Sequence, residues 1–79
     1  MTIANNINVY RKANNMTQEE LAGALKTSIK NIGAYEEGRA QPSIKMFIDI
    51  CQYFEVDPVL FATKKFTAAT AYEWYALPI

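Results

Sequence analysis

Gln18, Lys26, Ser28, Arg39 and Lys45 are hydrogen-bond donors or cations set along one stretch of the chain, and the chemistry open to them is the holding of anionic oxygens. Gln18 stands where a helix is expected to begin, so its amide and the free N–H groups of that helix end can together hold a phosphate. Lys26, Arg39 and Lys45 can neutralise further phosphates, and the Ser28 hydroxyl adds a donor. Glu19 and Glu20 oppose a strong anion site at Gln18 and are better read as favourable charges on a helix dipole. Reaction chemistry has far less to draw on. The 79 residues include no histidine and one cysteine, and most carboxylates fall at expected caps or surfaces. No acid, base and nucleophile set can be assembled, so an enzyme is not expected, and neither a metal site nor a cofactor is implied.

The elements that must carry these groups are written most clearly between Thr17 and Pro42. Thr17 and Glu20 form the sequence of a capping box, in which each side chain satisfies the other residue's backbone N–H. Leu21, Ala22 and Leu25 supply the inward stripe of the helix that follows. Ser28 caps a second helix, of which Ile32 and Tyr35 bury one side; Gly38 terminates it and Pro42 bars helix beyond. Upstream, Ile3, Ile7 and Tyr10 at i, i+4 and i+7 predict a helix from about Thr2 to Asn14. Downstream, Ser43 opens a helix with Ile44, Phe47, Ile48, Cys51 and Phe54 on one side, and Asp57-Pro58 opens a short fifth helix through Phe61. The predicted fold class is all-α, a compact five-helix domain. The tail from Phe66 to Ile79 reads two ways: Phe66, Ala69 and Tyr72 fit a helix, while Tyr72, Trp74 and Ala76 fit one face of a strand.

Eight basic and eight acidic residues cancel, so no global positive field announces a nucleic-acid partner, and any such binding must come from local placement. Asp49, Glu55 and Asp57 are expected on the side opposite the cations. Cys51, alone and on an apolar stripe, reads as a small buried hydrophobe. No apolar signal core and no stretch near ~18 apolar residues is present, so a cytoplasmic protein with no membrane contact is expected.

With TQEELA, Ser28, Ile32, Tyr35-Glu36, Gly38-Arg39 and Pro42-Ser43 in register, the chain resembles the phage repressor/Cro helix-turn-helix family from about Ile7 to Phe61, and the run IGAYEEGRAQPS looks like one bacterial subgroup of it. The resemblance implies a DNA-binding domain, here residues 1–63; the tail that follows, residues 64–79, holds more aromatics than such a core needs and is read as a dimerisation segment. It makes the Ser28 to Glu36 helix the recognition helix, with Ile29, Lys30 and Ala34 at base-reading positions and Asn31 and Gly33 beside them. Lys30 can donate to guanine O6 and N7, and Ile29 can press on a thymine methyl. The resemblance also pairs Arg11 with Glu36 as a structural salt bridge. Lys26 stands where the family usually has glycine, so the turn is expected to differ slightly in shape.

Two functions fit. One is a sequence-specific transcriptional regulator, a repressor of phage, mobile-element or antitoxin type, binding a palindromic double-stranded operator as a homodimer joined through the last helix and the tail, with Phe66, Tyr72, Trp74 and Tyr75 as contacts. The other is a protein-interaction module on the same fold, contacting a protein partner through its tail. The tail folding back over Phe54 and Phe61 is the alternative to dimerisation.

Overall fold

Helix starts in this chain follow from single side chains that replace the missing partners of a first helical turn. The computed structural model describes residues 2–71 and contains α1 (Thr2–Ala13), α2 (Gln18–Leu25), α3 (Ile29–Glu36), α4 (Ile44–Phe54) and α5 (Pro58–Thr63). At α2 the capping box closes both ways: the Glu20 N–H donates to Thr17 Oγ1 at 3.0 Å and the Thr17 N–H to Glu20 Oε1 at 2.8 Å. Ser28, Ser43 and Asp57 cap α3, α4 and α5 one way, their side chains accepting the N–H of Asn31, Met46 and Val59. The fold is all-α, and no strand occurs among the described residues. No helix among them is long and apolar enough to cross a membrane.

α1 packs on α3 and α5, α2 on α3 and α4, and α4 on α5. Every helix gives the core at least one fully buried side chain, among them Ile7, Leu21, Ile32, Ile50 and Phe61. Tyr10 sits at its centre, with ring centroids 5.5 Å from Phe54, 5.5 Å from Phe61 and 5.2 Å from Phe66. Such tilted and edge-on contacts add to what burial alone provides.

α4 departs from expectation. Its buried stripe is Ile50, Cys51 and Phe54, with Phe47 partly buried against the core, whereas Ile44 and Ile48 are exposed. The apolar residues of α4 span a wider arc than its neighbours cover, and Ile44 and Ile48 lie together at one edge of it.

The turn between α2 and α3 passes through a backbone conformation that favours glycine. Lys26 takes a left-handed conformation, φ 56° and ψ 46°, and its N–H donates to the α2 carbonyls. A glycine takes this conformation freely, so the cost falls on the lysine backbone. Asn15 and Glu55 do the same after α1 and α4, and Gly38 follows α3 at φ 75°.

The packed unit runs past Thr63. Phe66 and Ala71 join the core, and residues 68–71 are helical, with Thr67 and Thr70 bonded to each other's backbone N–H groups. Asn6, fully buried in α1, explains the course of this segment. Its Nδ2 donates to the carbonyls of Phe61 at 2.8 Å and Lys64 at 2.7 Å, and its Oδ1 accepts from the Phe66 N–H at 2.9 Å. Asn5 Nδ2 donates to the Phe66 carbonyl at 2.9 Å. Phe66, expected among the dimerisation residues, is therefore corrected to a core residue, 1% exposed and bonded at both backbone groups. Tyr72, Trp74 and Tyr75 lie outside the described residues, as does the choice of helix or strand for them.

Candidate nucleic-acid interface

The first turn of α3 is the exposed end of a helix whose other side is buried against α1 and α2. Ile29 is half exposed, and Lys30 and Asn31 are exposed beside it. Asn31 Nδ2 donates to Thr27 Oγ1 at 2.9 Å, which fixes the amide's direction and leaves its second N–H and its oxygen for a base edge. Ser28 Oγ accepts the Asn31 N–H at 3.1 Å, so its own proton remains available to an outside acceptor. Ala34, one turn after Lys30 on the same face of α3, is 9% exposed. At that exposure it offers little surface of its own, and the exposed side chains of this turn are Ile29, Lys30 and Asn31.

What holds α3 in position is Glu36. Its carboxylate accepts Arg11 Nε at 2.6 Å and Nη2 at 3.1 Å, Asn8 Nδ2 at 2.9 Å and Gln18 Nε2 at 3.1 Å. α1, the first residue of α2 and the last of α3 thus meet at one group. Arg11 also donates from Nη1 to the Met16 carbonyl at 2.7 Å, tying in the α1–α2 connection. Burial works against the charge on Glu36, but the hydrogen bonds from Arg11, Asn8 and Gln18 outweigh it and hold the carboxyl below the usual carboxylate range. The Arg11–Glu36 pair matches the expected one. Asn8 and Gln18 were not foreseen as its partners. Asn8 lies three residues before Arg11, hence on the same face of α1, and that spacing was a legible signal; Gln18 carried none.

Gln18 is half-buried at the start of α2, with its oxygen above Gly33, where an added Cβ would stand 3.9 Å away. One N–H of its amide is used on Glu36, and the second is left for a phosphate.

The expected phosphate anchors divide into two kinds. Lys26 and Lys30 are exposed and form no ion pair among the described residues. Arg39 Nε lies 2.9 Å from Glu37 Oε1 and Lys45 Nζ 2.9 Å from Asp49 Oδ2, both pairs at the surface. Exposed pairs of this sort are worth about 0–1 kcal/mol, so a phosphate can displace either carboxylate. Asp49 is not on the far side as expected: it lines a groove with Lys26 and Lys45. An i, i+4 spacing from Lys45 brings it there. Cys51 is buried, and burial followed by the negative charge of Asp57 pushes its thiol up to about 11, so no thiolate chemistry is available to it near neutrality.

Two short capped helices joined by a fixed turn, the second presenting an exposed first turn, are the arrangement that a family model described as a helix-turn-helix domain also finds in this sequence, over residues 4–65. The chain belongs to the helix-turn-helix family. Its membership is of the Cro/C1-like kind that the run of capping and core residues resembles. An HTH-type transcriptional regulator of Methanocaldococcus jannaschii, described by name as uncharacterized, is 40% identical over 52 residues, which cover 66% of this chain and 79% of that protein. No solved structure matches. Within the helix-turn-helix family frame, α2 and α3 are the two helices of the motif, and Lys26 occupies the turn between them.

Proposed function

We propose that this helix-turn-helix protein is a sequence-specific DNA-binding transcriptional regulator, a repressor of phage, mobile-element or antitoxin type, that lays α3 in the major groove. The observation that carries this reading is the first turn of α3, where Ile29, Lys30 and Asn31 stand exposed on a helix anchored from behind by Glu36. Lys30 donates to guanine O6 and N7, Asn31 pairs with adenine N6 and N7, and Ile29 packs on a thymine methyl. Gln18, Ser28, Lys26, Arg39 and Lys45 hold phosphates on either side and set the register. The family membership and the regulator of Methanocaldococcus jannaschii support the reading. A homodimer on a palindromic operator sets two α3 helices in successive major grooves about 34 Å apart, and repression follows from occupying the site that polymerase needs.

The two carboxylate-bound cations and the zero net charge favour one competing reading, a protein-interaction module with little affinity for DNA. Selection of bound duplexes from a randomised pool at about 0.1 M salt separates the two. A palindromic consensus that blurs at one base pair per half-site in Lys30→Ala supports the regulator. Absence of any enriched sequence with the wild-type chain overturns it in favour of the interaction module.

A further inference from the structure

We propose that Thr27, which stands just ahead of α3, is a positioning residue that sets the chain's choice of adenine by holding the amide of Asn31 in one orientation. This deepens the regulator reading above and rests on it for the DNA, while the positioning contact is present in the protein alone. Asn31 is tied at both its backbone and its side chain. Its N–H donates to Ser28 Oγ at 3.1 Å, and its Nδ2 donates to Thr27 Oγ1, one turn back, at 2.9 Å. Thr27 is held in turn: it is half-buried, and its N–H donates to the Ala22 carbonyl at 2.9 Å, closing α2 through the left-handed Lys26. A continuous set of hydrogen bonds therefore runs from the end of α2 to an exposed amide on the first turn of α3. Lys30, by contrast, forms no ion pair among the described residues and carries its charge on a flexible stem.

Direction matters because the edge of an amide carries two unlike atoms. Adenine offers the N7 acceptor and an N6–H donor to the major groove, and asparagine meets both with one N–H and its oxygen. The second N–H of the amide is not needed for that pairing and is free for Thr27 to hold. Turned over, the same amide donates to guanine O6 and accepts from the N4–H of the paired cytosine, so a freely rotating asparagine tolerates both base pairs. With Nδ2 on Thr27, turning over breaks the existing bond, and the amide meets the base with its rotation already restricted. The bond lies at the surface and adds little to folding. Its effect is realised in the groove, where water is excluded and a misdirected amide finds no partner.

The test is duplex selection at about 0.1 M salt with wild type, Asn31→Ala, Thr27→Val and Thr27→Ser. Affinities are then measured for the selected duplex and for the same duplex with the Asn31-dependent A·T pair replaced by G·C. Circular dichroism melts confirm folding, and Thr27→Ala stands in for Thr27→Val should the valine variant not fold. Wild type is expected to select adenine at one base pair per half-site, and Asn31→Ala to lose that preference there alone. Thr27→Val should lower the discrimination between A·T and G·C at that pair by about tenfold, with nonspecific affinity and salt slope unchanged. Thr27→Ser, which keeps the hydroxyl, should restore it. A Thr27→Val protein that discriminates like wild type overturns the assignment. So does one that binds all duplexes equally more weakly, the mark of a structural role or a phosphate contact. Selection of guanine at the Asn31-dependent position, or an unchanged consensus in Asn31→Ala, overturns it as well. Those outcomes leave the regulator reading standing, whereas absence of any enriched sequence with wild type removes that reading and the role of Thr27 together.

Discussion

Arg11 and Glu36 meet through two hydrogen bonds, Nε to Oε2 at 2.6 Å and Nη2 to Oε1 at 3.1 Å, with their side chains only 12% and 5% exposed. A pair this enclosed stabilises little by itself against the cost of desolvating both charges, yet removing one partner strands the other. Here the stranded group would be the one that orients α3, so the pair links packing directly to the reading surface.

Glu36→Gln should therefore destabilise the fold by about 3 kcal/mol, measured as a shift in the urea midpoint. Arg11→Met combined with Glu36→Leu should cost clearly less than the sum of the single changes, because the double variant leaves no unpaired charge. Additive costs would show that the two side chains act separately.

Acid should act through the same carboxylate. The Glu36 pKa is lowered in the folded state, burial opposing the charge and the Arg11, Asn8 and Gln18 bonds prevailing. The folded protein thus holds this proton more weakly than the unfolded chain, and stability falls as protons are added. The contribution is fully present above an unfolded value of about 4.3 and is lost as pH falls from there through the lower folded value. Melting temperatures between neutral pH and pH 3 should drop more steeply for wild type than for Glu36→Gln. Parallel curves would remove Glu36 from the acid response.

Lys26→Gly should raise stability by about 0.5–1 kcal/mol, since glycine adopts φ 56° without the strain of a Cβ but adds freedom to the unfolded chain. The same change removes an exposed cation. Under the regulator reading it should weaken DNA binding across all sequences and reduce the salt slope by about 1 for each copy bound. A loss of stability in denaturant titration would contradict the left-handed turn.

Asn6→Leu should cost about 3 kcal/mol or more. It leaves the carbonyls of Phe61 and Lys64 and the N–H of Phe66 without their partner in a buried site. Hydrogen exchange should show the Phe66 amide losing protection before the α2 and α3 amides do. Uniform loss across the chain would mean that the asparagine is a general core residue and does not specifically tether the segment after α5.

Most helix ends and the motif itself were legible because their causes are local. Thr17, Ser28, Ser43 and Asp57 act on backbone N–H groups two or three residues away, so their effect is contained in a short window of sequence. The exposed first turn of α3 was legible too, since Ile32 had to face inward and Lys30 could not. Other features depend on which surfaces meet. Periodicity marked both Ile48 and Cys51 as apolar on α4 but could not say where the covered arc ends, and the packing of α2 and α5 left Ile44 and Ile48 uncovered while burying Ile50. Ala34 falls on the Lys30 face of α3 by spacing, and only the structure shows it 9% exposed. The Asn6 bonds to the Phe66 region join residues 60 apart, and the Arg11–Glu36 contact joins residues 25 apart. A sequence by itself determines helices through short-range hydrogen bonds and apolar spacing. Only tertiary packing decides which buried polar groups find each other, because that depends on positions in space that no window of the chain contains.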